Sequence, residues 1–228
     1  MKRVDQIREN LDTVRAKIDA AAAKAGRSTD EITLIAVTKS FPLSDLEILY
    51  SLGVRQFGEN RDQEASSKVE QLPSDINWHF QGQIQSNKLK SITNWAGCIH
   101  SVDQIKYAQI ISEQSSGQPK PIFIQVSLDQ PPESRGGVDP AKLIELANQI
   151  TKLPGVALQG LMAVAPTDSP TESAFANLSK IHGDFLLTFS NAKSLSSGMS
   201  GDYEMAISYG ATHLRIGSSI LGNRDQIA

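Results

Sequence analysis

The sequence predicts an α/β fold, a single (β/α)8 barrel (a TIM barrel) preceded by an extra N-terminal helix. Three observations carry this. Eight short strand-like segments follow one another along the chain, and helical patterns with clear start and stop signals lie between them. Eight such units in about 200 residues is the size of this barrel. An open doubly wound sheet is the competing arrangement, but no early glycine-rich dinucleotide turn supports it.

Taken in order, Val4, Ile7, Leu11, Val14 and Ile18 recur at spacings of three and four. They predict an amphipathic helix over residues 3–25, which Gly26 ends. The strand candidates then run EITLIAVTK, RQFGEN, NWHFQG, GCIHSVD, PIFIQVSL, ALQGLMAV, KSLSSGMS and THLRIGSS. Between them, Asp139 and Pro140 start one helix and Pro154 with Gly155 stops it. Ser169, Pro170 and Glu172 read as a capping box with proline at the first helical position of the next. Residues 130–140, QPPESRGGVDP, collect proline and glycine and predict a long loop after the fifth strand.

Composition narrows the function classes. With 21% charged and 39% hydrophobic residues and a formal net charge of −3, the chain falls in the ordinary soluble class. No basic stripe invites nucleic acid. The opening MKRVDQIREN has charges where a signal peptide needs apolar residues, and no run approaches the roughly 18 apolar residues of a membrane helix. The expectation is a cytoplasmic protein with one domain over residues 1–228, and a monomer, since no heptad seam is present. The single cysteine, Cys98, reads as a small buried strand residue rather than a nucleophile.

In such barrels the site lies at the C-terminal strand ends. There the sequence offers Lys39, then Glu59, Asn60 and Arg61, then His79, Ser101 with Asp103, Met162, Ser196 to Ser200, and Arg215 to Ser218. The last two segments, SSGMSGD and RIGSSILGNR, fall where barrels build a phosphate cradle from loop amides and hydroxyls. Alone, Ser200 would be a helix cap and Gly217 a turn; side by side in a closed barrel they suggest a bound phosphate monoester. Asp202 and Glu204 stand against this unless they face away, since acids there repel phosphate. Closure brings the first strand beside the eighth, and so Lys39 near Arg215. A lone lysine at a strand end commonly snorkels to water. An amine beside a phosphate site and a cation instead suggests a Schiff base, because burial and a neighbouring positive charge favour the neutral, nucleophilic form.

The segments AVTKS, FGENR, HFQGQIQSNK, SVD, GLMAV, SSGMSGDYEMAI and RIGSSILGNR, in this order and spacing, resemble the pyridoxal phosphate homeostasis protein family over nearly the whole chain. The resemblance implies a fold-type III pyridoxal 5'-phosphate (PLP) protein, with a barrel similar to that of alanine racemase and the cofactor joined to Lys39 as an internal aldimine. It implies that Ser200, Gly201, Gly217 and Ser218 hold the phosphate, that Arg215 partners the pyridine nitrogen, and that Asn60, His79 and Met162 line the ring. His79, flanked by Trp78 and Phe80, also reads as an ordinary interior residue. Gln81 and Ile84 depart from the more usual apolar choices of the family, and Ser218 stands where threonine is frequent.

An arginine partner leaves the pyridine nitrogen neutral and the ring a weaker electron sink. Racemases similar to this barrel also use a tyrosine brought by an added domain, whereas the four tyrosines here, Tyr50, Tyr107, Tyr203 and Tyr209, fall in predicted helices. The expected function is therefore PLP binding without turnover, serving vitamin B6 and amino-acid and keto-acid balance, with apo-PLP enzymes as recipients. A PLP-dependent racemase or lyase is the alternative, and a cofactor-free Schiff-base aldolase a third reading.

Overall fold

The computed structural model describes residues 2–129, 136–166 and 170–222. The chain begins with helix α1 (Arg3–Lys24) and then alternates strands and helices. These are β1 (Thr33–Val37), α2 (Leu43–Ser51), β2 (Gln56–Glu59), α3 (Asp62–Val69), β3 (Asn77–Phe80), α4 (Leu89–Trp95), β4 (Cys98–Val102) and α5 (Ile105–Gln114). After them come β5 (Lys120–Gln125), α6 (Leu143–Ile150), β6 (Val156–Met162), α7 (Thr171–Leu186), β7 (Ser194–Met199), α8 (Tyr203–Ser208), β8 (His213–Ile216) and the single turn α9 (Ser218–Leu221). All eight strands are parallel and close into a barrel in sequence order, with β1 paired to β8 through Thr33–His213, Leu34–Leu214, Ile35–Arg215 and Ala36–Ile216. Among the described residues no helix is long and apolar enough to cross a membrane.

The first helix forms where its periodicity predicts. Ile7, Leu11, Val14 and Ile18 are all buried, and each such burial stabilises by roughly 1.5–3 kcal/mol. Its end is a Schellman turn. Gly26 takes φ 68°, the Gly26 N–H reaches the Ala23 carbonyl at 3.0 Å, and the Arg27 N–H reaches that of Ala22 at 2.9 Å.

Several boundaries move. The strand expected to finish on Lys39 ends at Val37, because the Thr38 carbonyl is taken by the Lys68 ammonium at 2.8 Å and Ser40 turns the chain with φ 65°. Pro170 is the N-cap of α7 rather than its first residue, since its ψ of 125° is extended. Ser169 of the expected capping box lies outside the described residues. Of the loop expected over 130–140, residues 130–135 also lie outside them; Asp139 caps the turn that follows, accepting from the Ala141 N–H at 2.9 Å. Tyr209 is the C-cap of α8, just past the helix.

Glycine is required where β6 meets β7. Gly160 has φ 154°, and a Cβ there would collide with the Ser194 carbonyl across the ladder. Gly160→Ala is expected to cost about 3–5 kcal/mol, whereas Gly26→Ala, strained by φ but with open space around it, costs about 1 kcal/mol. Urea unfolding of both variants checks this; equal losses would show that the strand contact is not the cause.

Candidate functional site

A cleft of about 740 Å3 opens at the C-terminal mouth of the barrel. Seven of the nine site residues expected from sequence line it: Lys39, Asn60, Ser200, Gly201, Arg215, Gly217 and Ser218. Met162 lines an adjoining cavity of about 220 Å3, which shares Gln81, Gln83 and Val164 with the cleft. His79 reaches neither. It is 2% exposed inside the barrel, where its Nε2 lies 2.8 Å from Gln56 Oε1 and its Nδ1 2.9 Å from His100 Nε2. Its position on β3 points it toward the start of β2 instead of the mouth, so the interior reading describes it.

Lys39 is half-buried, and the residues on either side of it are clamped. On the strand side, the Thr38 hydroxyl donates to Glu59 Oε1 at 2.7 Å and its N–H to the Gly58 carbonyl at 2.9 Å. On the helix side, the Ser40 N–H donates to Glu64 Oε1 at 2.5 Å, holding that residue in its left-handed conformation. The Lys68 ammonium joins both halves, donating to Glu59 Oε1 at 2.7 Å, to Glu64 Oε1 at 2.6 Å and to the Thr38 carbonyl. Burial raises the carboxyl pKa of Glu59, with Lys68 pulling the other way. Burial would raise Glu64 as well, but the bonds from Lys68 and the Ser40 N–H outweigh it and lower its pKa.

Across the cleft, the Ser200 hydroxyl accepts from the N–H groups of Gly217 and Ser219, each at 3.2 Å, and Ser219 Oγ returns a bond to the Ser200 carbonyl at 3.1 Å. The segment after β8 thus folds its amides onto the hydroxyl supplied by the segment after β7. The two acids that stood against a phosphate here are engaged elsewhere. Glu204 pairs with Lys17 on α1 at 3.5 Å, and Asp202 Oδ1 accepts from the Met199 N–H at 2.5 Å.

Arg215 is 6% exposed and held by two bonds, Nη1 to Ser196 Oγ at 2.8 Å and Nη2 to the Ala163 carbonyl at 2.9 Å. Burial brings its pKa down to about 10, with Asp202 opposing, so it stays cationic at neutral pH. Asn60 Oδ1 and both amide atoms of Gln81 are buried without a hydrogen-bond partner, and both side chains line the cleft. Each such atom costs about 1–3 kcal/mol, so the cleft is arranged for a polar ligand that satisfies them.

The chain matches the family model described as the alanine racemase N-terminal domain over residues 4–225. The pyridoxal phosphate homeostasis protein of Mycobacterium tuberculosis is 36% identical over 244 residues, covering 97% of this chain and 94% of the relative. The chain belongs to the pyridoxal phosphate homeostasis protein family. Among solved structures of similar proteins, PipY of Synechococcus elongatus with PLP bound superposes with a TM-score of 0.83 at 32% identity, covering 95% of this chain and all of that one (100%). Alanine racemase of Clostridium difficile shares the fold, with a TM-score of 0.75 at 16% identity over 95% of this chain and 56% of the enzyme.

Within this family fold, sequence reading missed Gln81, Lys68 and Glu64. Gln81 stood out only as a departure from an apolar choice; Glu64 and Lys68, four apart on α3, had no visible link to Lys39. The inner histidines also carry a consequence for stability. Burial, with smaller contributions from Arg215 and from the mutual unfavourability of charging neighbouring histidines, lowers His79 to about 3, His213 to about 4 and His100 well below its ordinary value. These groups are neutral when folded but bind protons in the unfolded chain below about pH 6.5. Stability is therefore full above that pH and declines as pH falls toward 4, with Glu59, shifted upward, opposing the decline. Urea unfolding at pH 7, 6 and 5 is expected to show about two to three protons taken up on unfolding at pH 5; a flat profile would contradict the neutral interior.

Proposed function

We propose that this chain binds PLP covalently at Lys39 and maintains the intracellular supply of the cofactor without turning over a substrate. The observation that carries the reading is the composition of the cleft at the barrel mouth: an amine, a buried guanidinium, a serine- and glycine-rich rim and orphaned amide side chains around a cavity of about 740 Å3. The residues fit the group. Lys39 would supply the amine for the aldehyde, and Ser200, Gly201, Gly217 and Ser218, which line the same cleft, would hold the phosphate. Arg215 would be the donor toward the pyridine nitrogen, and Asn60 and Gln81 carry the unpartnered polar atoms that would meet the cofactor. Bound PLP supplies an electron sink, which an arginine partner keeps weak. PipY, a relative with PLP bound, supports the assignment.

Retention without turnover is supported by the lining itself. Among the described residues around the cleft, Lys39 and Arg215 are the titratable side chains; no carboxylate, histidine or tyrosine joins them there. The protein would act as a monomer in the cytosol and pass PLP to apo-enzymes. One observation favours the alternative of a racemase or lyase: Tyr107 and Asp103 line the adjoining cavity. Turnover of any L-amino acid by the loaded protein well above that of free PLP would establish this second reading instead.

Purified protein saturated with PLP is expected to show the visible absorbance of lysine-bound cofactor, absent in Lys39→Ala. Its absence from the unaltered protein would end the proposal. Ser200→Asp sharpens the phosphate assignment. The new carboxylate can still accept the Gly217 and Ser219 amide protons, so the apo fold survives, but it faces the phosphate. PLP affinity is expected to fall at least about tenfold with little change in apo stability. Equal loss of both would leave Ser200 a cap. Delivery is tested by PLP transfer to an apo-transaminase with a scavenger of free PLP present; transfer blocked by the scavenger would rule out direct handover.

A further inference from the structure

Below Arg215 the barrel interior departs from the aliphatic layers usual in such barrels. Arg215 Nη1 lies 2.8 Å from Ser196 Oγ, Ser196 Oγ lies 2.8 Å from His100 Nδ1, and His100 Nε2 lies 2.9 Å from His79 Nδ1. His79 Nε2 then reaches Gln56 Oε1 at 2.8 Å, at the opposite end of the barrel. Ser196 and His100 are fully buried and His79 nearly so.

The chemistry of the two ends fixes the direction of the chain. A guanidinium has only donors and Gln56 Oε1 can only accept, so with both imidazoles neutral Ser196 Oγ accepts from Arg215 and gives its single proton to His100 Nδ1. His100 must then carry its proton on Nε2 and donate to His79 Nδ1. His79 in turn donates from Nε2 to Gln56 Oε1. Asn77 Nδ2 lies 3.3 Å from His79 Nε2 but closer, at 2.9 Å, to the same Gln56 oxygen, which accepts from both. Every link requires both imidazoles to be neutral, as their burial dictates.

His79, Cys98 and His100 also have the composition of a metal site. The two nitrogens already share a proton at 2.9 Å, whereas a tetrahedral zinc ion would hold them roughly 3.3 Å apart. Burial raises the Cys98 thiol to about 12, so it keeps its proton. The hydrogen-bonded chain is the arrangement that these distances describe.

We propose that Ser196, His100, His79 and Gln56 are positioning residues for Arg215, a one-way hydrogen-bond chain that fixes the guanidinium in the cleft and so sets how firmly the site holds the cofactor ring. This rests on the PLP reading above, but the chain itself is testable without PLP. Nitrogen-15 NMR of the apo-protein is expected to show His79 and His100 both as Nε2–H tautomers, and to remain unchanged with one equivalent of zinc. The opposite tautomers, or histidine shifts on adding zinc, would overturn the proposal whatever binds in the cleft.

With PLP, Ser196→Ala removes the first link. It is expected to weaken binding about fivefold to tenfold, the effect of one charge-assisted bond, and to shift the absorption maximum of the bound cofactor. Gln56→Met, at the far end of the barrel and only half-buried, is expected to shift the maximum in the same direction by less. This second variant keeps the test decisive if Ser196→Ala folds poorly. Spectra and affinities identical to the unaltered protein in the variants that fold would overturn the positioning role, whereas absence of PLP binding by the unaltered protein would instead overturn the function on which it rests.

Discussion

The pairing of β1 with β8 is the contact on which the site depends. Four residue pairs, from Thr33–His213 to Ala36–Ile216, close the barrel and bring the Lys39 turn against the loops that follow β7 and β8. The cleft needs that seam, because Lys39 comes from the start of the chain and Ser200, Arg215 and Gly217 from its end. The first helix reinforces the closure from outside. Arg3 bonds Asp45 on α2 at 2.6 Å and the Leu221 carbonyl on α9 at 2.8 Å, while Asn10 Nδ2 reaches the Ile220 carbonyl at 3.0 Å. Arg27 follows with bonds to the carbonyls of Ile207 and Ala211. A helix that periodicity alone marks as an additional outer element thus straps the two ends of the sheet together.

Closure brings Lys39 to the right place, and the Glu59–Lys68–Glu64 cluster fixes its aim. Burying these charges carries a desolvation penalty, and an apolar packing of similar volume could be as stable. What the ions provide is direction. Lys68 reaches the Thr38 carbonyl and both carboxylates at once, so Thr38 and Ser40 cannot rotate independently around the residue between them. Removing the Lys68 ammonium would leave Glu59 buried and uncompensated, a loss of about 3–5 kcal/mol in comparable pairs. The clamp is specific to its own geometry and demands every member.

Much of this was legible in the sequence. All eight strand segments show in their β-branched and apolar runs, and the seam between the first and last strands follows from barrel closure. The segments after β7 and β8 are legible because glycine and serine cluster there, and Lys39 because it follows a strand. What was not legible depends on side-chain direction. His79 sits on a strand near its C-terminal end, and only the pleat and tilt of β3 decide that it turns inward to Gln56 rather than up to the mouth. Gln81 is a polar residue on a rim where polar residues abound, and nothing in its neighbours reveals that its amide would be left without partners. Asp202 and Glu204 looked adverse because sequence gives their proximity to the cradle and not their bonds to the Met199 N–H and Lys17.

The cleft holds its free energy in an unusual form. Unpartnered atoms on Asn60 and Gln81 lie in its lining, and the left-handed Ser40 follows Lys39 directly in the chain, each costing on the order of 1–3 kcal/mol. A polar ligand that meets the orphaned amides recovers part of this on binding. An enzyme would direct comparable strain at a reacting bond and set an acid or base beside it. Here the strain surrounds a cleft whose described lining offers one amine and one guanidinium as its titratable groups. Those polar features suit a ligand rich in hydrogen-bonding groups, held between the amine of Lys39 and the guanidinium of Arg215.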